Sequence, residues 1–366
     1  MEYRRCNRCL MDTEADANII FDKDGNCKYC TEALAQIHTT TYFPDGEGQR
    51  RLQAALRQIK ADGEGKPYDC VMGISGGLDS SYLTYLGYKW GLRILAFHVD
   101  DGYDTAISKN NIHKLCTAAN IDLRVIKPDA EQYNALILAY LEAGVPGVAL
   151  PQDNTLFAYL YDEILSSGVK YFLGGGNFAL GCILQQGHTH SALDLTNLKD
   201  IHKKFGTRPI NKLKFVSSYR KYWLLKTKRM VDMRLLNYVD YNRNRAFAEL
   251  KEFCGFEYYG RKHLENILTA FVQLYWLPKK FGADKRVSHL SSMIVSGQMT
   301  REEALAELEE PLYDETMMAE YIDFIKQRLG MSDADFGRIM ASPAHEHTDY
   351  KIDKLDPFIR KFLTHR

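Results

Sequence analysis

The chain has no surplus of either charge: 47 Lys and Arg residues face 47 Asp and Glu across 366 residues. Proteins that grip nucleic-acid backbones without sequence preference carry a basic excess, so nucleic acid is not an expected partner. No stretch approaches about 18 uninterrupted apolar residues, the length a spanning helix needs. Met1-Glu2-Tyr3-Arg4-Arg5 runs into a cysteine rather than into the apolar centre of a signal peptide. No membrane association is expected, and the cytoplasm is the expected compartment. Internal repeats and low-complexity tracts are missing as well. With 45% hydrophobic and 26% charged residues, the chain has enough apolar material for a sizeable core.

Four of the eight cysteines fall within the first thirty residues. Cys6-Asn7-Arg8-Cys9 and Cys27-Lys28-Tyr29-Cys30 are two Cys-x-x-Cys pairs, and Asp22-Lys23-Asp24-Gly25-Asn26 reads as a hairpin turn just before the second. So short a segment cannot fold on apolar burial alone. In a reducing compartment four thiolates in two knuckles suit tetrahedral Zn²⁺ best, with an iron–sulfur cluster or two disulfides as the alternatives. The scattered Cys70, Cys116, Cys182 and Cys254 read as small core residues.

The middle of the chain alternates in period. Apolar runs at residues 69–74, 93–99, 123–126 and 171–173 read as strands, and residues 49–60, 80–90, 107–120 and 153–167 read as helices. Such alternation predicts an α/β fold with a doubly wound parallel sheet, whose ligands sit at the carboxyl ends of the strands. The first strand runs into Ser75-Gly76-Gly77-Leu78-Asp79-Ser80, with Ser81 following, and the second into His98-Val99-Asp100-Asp101-Gly102. The fourth ends at Gly174-Gly175-Gly176-Asn177.

A glycine-rich turn between strand and helix aims backbone N–H groups at a phosphate chain, and Ser75, Ser80 and Ser81 add hydroxyls. Asp79 makes sense beside phosphates if it orients the loop or meets Mg²⁺. The loop lacks the Gly-Lys-Ser/Thr ending of P-loop nucleotidases and the Gly-x-Gly-x-x-Gly spacing of dinucleotide folds. Pyrophosphate is the species expected there. A tight turn that merely packs a helix on its strand is the bland alternative.

Beyond residue 194 long helical stretches take over, at 219–237 and 261–277, and Thr300 with Glu303 forms a capping box. Lys285, Arg286 and His289 combine two cations and an imidazole that could close over a triphosphate, or form a solvated turn. Lys212, Lys214, Arg220, Lys221, Lys226, Lys228 and Arg229 read as an exposed face. His188 and His190 read as part of a substrate-lining loop.

The loop and the turns at the second and fourth strand ends resemble the PP-loop (N-type) ATP pyrophosphatase superfamily, whose fold is adenine nucleotide α-hydrolase-like. That resemblance implies ATP held by Ser75, Gly76, Gly77, Asp79, Ser80, Ser81, His98, Asp100, Asp101, Gly174, Gly175 and Asn177. Many relatives carry a Gly-His pair where this chain has Gly-Gly-Asn. With the opening run from Tyr3 to Thr13, Asp153-Asn154, and the stretches around Asp284-Lys285-Arg286 and Arg301-Glu302-Glu303-Ala304, the chain looks like the N-acetyl sugar amidotransferases of bacterial surface-polysaccharide synthesis.

The resemblance implies that the acetamido oxygen of an activated, nucleotide-linked N-acetyl sugar is adenylated and then replaced by ammonia. Asp79, Lys285 and Arg286 are the implied catalytic residues, with ATP, Mg²⁺ and Zn²⁺ as cofactors. No Gly-x-Cys-x-Gly nucleophile turn or amino-terminal catalytic cysteine is found, so a separate glutaminase subunit and a cyclase-like ammonia-channel subunit are expected partners. A tRNA thiolase, which also joins cysteine knuckles to this loop, is the rival reading. The expected organisation is a four-cysteine zinc-binding segment at 1–45, an ATP pyrophosphatase domain at 46–195 and a mainly helical region at 196–366.

Overall fold

The computed structural model describes residues 2–227, 229–260 and 264–359. Along the chain come α1 (Lys28–Leu34), α2 (Gly46–Asp62), β1 (Cys70–Gly73), α3 (Leu78–Lys89), β2 (Ile94–Val99), α4 (Ala106–Ala118) and β3 (Asp122–Ile126). Next are α5 (Ala130–Glu142), α6 (Leu150–Ser167), β4 (Tyr171–Leu173), α7 (Phe178–Gly181), α8 (Leu195–Phe205), α9 (Ser218–Lys226) and β5 (Val231–Met233). Helices follow to the end: α10 (Arg243–Cys254), α11 (Ile267–Phe271), α12 (Leu277–Phe281), α13 (Arg286–Val295), α14 (Arg301–Glu309), α15 (Glu315–Leu329) and α16 (Asp333–Ala341). One π-helical turn, Val272–Trp276, joins α11 to α12.

The five strands lie in the order β3-β2-β1-β4-β5, and every pairing is parallel. β1, β2 and β4 are almost wholly buried, as a sheet covered on both faces requires, whereas the edge strand β3 is largely accessible. The chain winds outward from β1 through β2 to β3, then crosses back to place β4 on the other side of β1. The turns after β1 and β4 therefore diverge around a crevice, the switch point where such sheets take their ligands.

Two expectations need correction. The stretch 219–237 is not one helix: α9 ends at Lys226, and Val231–Met233 pairs with β4 as a fifth strand. Val231-Asp232-Met233 is neither a continuous apolar run nor followed by a glycine-rich turn, so the local pattern carries no warning. Of the stretch 261–277, residues 261–263 lie outside the described residues, as does Lys228 of the basic face, and the helix begins at Ile267. The structure adds α5, and α6 starts at Leu150, with Pro151 in the first turn where its missing N–H costs nothing. The Thr300–Glu303 capping box is present.

The cysteine segment does not stand apart. Its thiols share one core with α3, α10 and α13. Leu10 N–H donates to Ser291 Oγ at 3.0 Å, and the Arg301 guanidinium donates to the Cys6 carbonyl at 3.2 Å. Among the described residues no helix is long and apolar enough to cross a membrane.

Asn154, fully buried on α6, fixes two connections over the sheet. Its Nδ2 donates to the Ala192 and Val216 carbonyls at 2.6 and 2.8 Å, and its Oδ1 accepts from Val216 N–H at 3.0 Å. Asn154→Ala leaves these backbone groups unpaired in the interior and should cost about 2–4 kcal/mol of unfolding free energy in chemical denaturation. A loss below about 0.5 kcal/mol, the scatter of surface substitutions, would contradict this.

Candidate active site

The loop after β1 is shaped by steric necessity. Gly76 has φ +74°, and a Cβ there would lie 2.2 Å from the Ser108 carbonyl oxygen at the start of α4. Gly175 is equally confined, since a Cβ would come 2.8 Å from Ser80 N. The two glycine turns thus pack against each other across the β1–β4 crevice. Between them and the C-terminal helices lies a cavity of about 770 Å³, large enough for a nucleotide and part of a second ligand.

Among the residues expected to hold ATP, Ser75, Gly77, Asp79, Ser80, His98, Asp101, Gly175 and Asn177 line this cavity. Ser81, Gly76, Asp100 and Gly174 do not. Ser81 is fully buried, and its hydroxyl has no partner among the described residues. Asp100 turns toward Lys109 and Lys127, at 3.3 and 3.4 Å, and caps its own turn through Gly102 N–H. His98 reaches the cavity wall with both nitrogens engaged, one to the Ile74 carbonyl at 2.8 Å and one to Asp104 Oδ2 at 3.0 Å. Burial works to lower that imidazole and Asp104 outweighs it, so it titrates above its ordinary value. His98 braces the ends of β1 and β2. Asn177 likewise shapes its own turn, accepting from Leu180 N–H and donating to the Gly175 carbonyl.

Lys285, Arg286, His188, His190 and His289 also face the cavity. Arg286 grips Asp284 through Nε and Nη2 and donates Nη1 to the Glu307 and Glu310 carbonyls, so it ties α13 to α14. Lys285 makes no ion pair with any described residue, and burial lowers its pKa. His190 pairs with Asp194 and His188 with Glu346, leaving both as wall residues rather than metal ligands.

The structure adds residues that no motif announced. Glu265 reaches over the loop and accepts from Ser75 Oγ at 3.2 Å, while its other oxygen is buried without a partner among the described residues. Burial, with Asp79 and Asp104 nearby, pushes its carboxyl up to about 7. Tyr259 Oη accepts from Leu78 N–H at 2.7 Å, and Tyr241 Oη donates to Asp79 Oδ1 at 2.6 Å. Oxygens of the chain itself therefore occupy donors that a phosphate would use. Asp101, held by Tyr133 and Gln152, is pushed up to about 6, chiefly by burial, and Asp153 lines the cavity as an accessible carboxyl.

Outside the cavity lining, Cys6, Cys9, Cys27 and Cys30 are buried with their Sγ atoms within 4.8 Å of one another. The contacts Cys6–Cys30, Cys9–Cys27 and Cys27–Cys30 measure 3.7, 3.5 and 3.7 Å. A tetrahedral ion with metal–sulfur bonds of about 2.3 Å has sulfur–sulfur edges of about 3.8 Å, so the cluster fits such an ion. Cys6 Sγ accepts backbone N–H from Arg8, Cys9 and Cys27, donors that favour a thiolate.

Residues 265–363 match the family described as LPS biosynthesis protein WbpG-like, C-terminal domain. Glu265, Lys285 and Arg286 all fall within the matched segment. No curated protein matches the chain. Two solved structures align with it over long stretches. The NH3-dependent NAD synthetase from Campylobacter jejuni subsp. jejuni NCTC 11168, in complex with the nitrate ion, is 15% identical, covers 57% of this chain and 93% of its own, and has a TM-score of 0.30. The NMN synthetase from Francisella tularensis is 12% identical, covers 74% of this chain and 100% of its own, and has a TM-score of 0.34.

A carboxyl raised from 4.5 to about 7 binds its proton more tightly in the folded chain, so its contribution to stability is greatest at low pH and is lost as pH rises through that window. Glu265→Gln should therefore flatten the fall in stability between pH 5 and 7 and stabilise the protein at pH 8 by on the order of 3 kcal/mol. Parallel pH–stability curves for the two proteins would contradict the burial of this carboxyl.

Proposed function

We propose that the chain is an AMP-forming, ATP-dependent amidotransferase that converts the acetamido group of an activated N-acetyl sugar into an acetamidino group for surface-polysaccharide synthesis. The observation that carries this reading is the junction itself: the Ser75–Ser80 loop, at the switch point of the sheet, opens into one cavity with Lys285 and Glu265 of the WbpG-like domain.

An amide oxygen is a poor leaving group, and adenylation makes it a good one. Its lone pair attacks the α-phosphorus, the bridging P–O bond breaks, and pyrophosphate departs into the loop. Ammonia then adds to the activated carbon, and AMP leaves with the former amide oxygen while the nitrogen gives up its surplus proton. When bound, Mg²⁺ neutralises the phosphates. Asp79, fixed by Tyr241, is the carboxylate at hand to meet it. The Lys285 ammonium, short of anionic partners, is suited to stabilise charge that grows at the α-phosphate.

Arg286 acts by holding α13, and Lys285 with it, in place. Ammonia comes from a separate glutaminase subunit through a cyclase-like channel subunit. The sugar is nucleotide-linked. Cys6, Cys9, Cys27 and Cys30 hold a structural Zn²⁺, and the reaction takes place in the cytoplasm.

With ATP, Mg²⁺, ammonium and nucleotide-linked N-acetyl sugars, the isolated chain should release AMP and pyrophosphate. Mass spectrometry should show the small mass decrease of oxygen replaced by NH. Asp79→Asn should lower turnover on the order of a hundredfold or more with the fold intact. ADP as the nucleotide product, or full activity of the Asp79 variant, would overturn the reading.

Metal analysis should find one zinc per chain, and Cys9→Ser should both release it and lower the melting temperature. An iron–sulfur absorption band in place of zinc would refute that assignment.

A further inference from the structure

β5 brings to the cavity one cation that no sequence motif singles out. Arg234 directly follows Met233, the last residue of the strand, so it stands at the carboxyl edge where the sheet receives its ligands. Its main chain is anchored: the Arg234 carbonyl accepts from Asn237 N–H at 3.0 Å, and the buried Asn237 side chain accepts from Phe178 N–H at 2.8 Å. Gly174 N–H donates to the Met233 carbonyl at 3.0 Å, which locks the β4 and β5 turns together.

The side chain, by contrast, has no hydrogen bond or ion pair with any described residue, although it lines the cavity. The other arginines in the wall have partners among the described residues. Arg286 is held by Asp284, and Arg243 donates to the Tyr258 hydroxyl. The guanidinium lies over Gly176, whose Cβ position is 3.6 Å from Nη1 and 3.7 Å from Cζ. The preceding Gly175 lies against Ser80 of the loop. The line from loop to guanidinium thus crosses two glycines, over roughly two strand spacings of about 4.8 Å.

We infer that Arg234 is a phosphate-binding residue, and that it takes the terminal phosphates of ATP, and then the departing pyrophosphate, from the β5 side of the loop. A planar guanidinium is suited to two phosphate oxygens at once, and the two glycines let it approach them. The loop supplies N–H and hydroxyl donors but no lysine of the Walker type. Arg234 supplies full positive charge from a different strand. The inference rests on the polyphosphate reading of the loop given above.

The test is calorimetric titration of the whole chain with pyrophosphate and Mg²⁺. Wild type should bind, Arg234→Gln should bind roughly ten- to a hundredfold more weakly, and Arg234→Lys should fall between them. Because the side chain holds nothing among the described residues, both variants should keep the wild-type melting temperature. In turnover, the KM for ATP should rise in Arg234→Gln and the KM for the sugar should stay unchanged.

Equal pyrophosphate affinity of wild type and Arg234→Gln would overturn the inference while leaving the loop assignment standing. A raised KM for the nucleotide sugar with pyrophosphate affinity intact would also overturn it, and would give Arg234 to the acceptor's phosphates. Wild type that fails to bind pyrophosphate would overturn the loop assignment and this inference together.

Discussion

A polyphosphate bound in the cavity would lie among Asp79, Asp101, Asp104, Asp153 and Glu265, which all line it. Like charges in a poorly hydrated space repel strongly, and the rest of the site can be read as the answer to that constraint. Burial raises Asp101 to about 6 and Glu265 to about 7, so Glu265 is the carboxyl that holds a proton most readily near neutrality. Asp104 is engaged by His98, and Asp79 receives the Tyr241 hydroxyl. What remains to attract an anion is the donor set of the loop and the two cations Arg234 and Lys285. Glu265 and Tyr259 meanwhile keep loop donors satisfied, so phosphate exchanges one set of acceptors for another rather than entering an empty cradle.

The same constraint explains why the site needs more than the sheet. Glu265 and Asn266 reach it because their backbone runs against the turn after β2: Thr105 N–H donates to the Glu265 carbonyl at 3.0 Å and Ile267 N–H to the Tyr103 carbonyl at 2.7 Å. Arg328, on α15, donates to the Asp101 carbonyl at 2.9 Å and stacks on Tyr103. Lys285 reaches the site on α13, which Arg286 ties to α14 and which Ser291 ties to the cysteine knuckle. A metal in that knuckle would stiffen the support of Lys285 without touching substrate, which is the usual work of a closed four-thiolate site.

Much of this was legible in the amino-acid order, for identifiable reasons. Strand, glycine-rich turn and helix recur with short spacing, so β1, β2, β3 and β4 and the turns after β1, β2 and β4 could be located by period alone. Paired Cys-x-x-Cys spacing announced the cluster of four thiols. Two kinds of feature stayed hidden. β5, no longer than β4, interrupts its apolar run with Asp232 and has no glycine-rich turn after it, and Arg234 at its end was hidden with it. Tyr241, Tyr259 and Glu265 touch the loop from at least 160 residues away, a juxtaposition produced by the packing of the helical region rather than by any local pattern. Asp104 stood only two residues beyond the acidic turn and could have been named with it. Ser81 and Asp100 show the converse: the composition of a motif does not say which members face the ligand, because successive residues of a turn and first helical turn point in different directions.

The central claim is that an oxygen of the acceptor attacks the α-phosphorus of ATP. It is tested most directly by giving the enzyme an N-acetyl sugar whose acetamido oxygen carries a heavy isotope, together with ATP, Mg²⁺ and ammonium. Mass analysis of the nucleotide should then find the label in AMP, one atom for each acetamidino group formed. Label recovered in inorganic phosphate beside ADP, or in water with the AMP unlabelled, would contradict the claim.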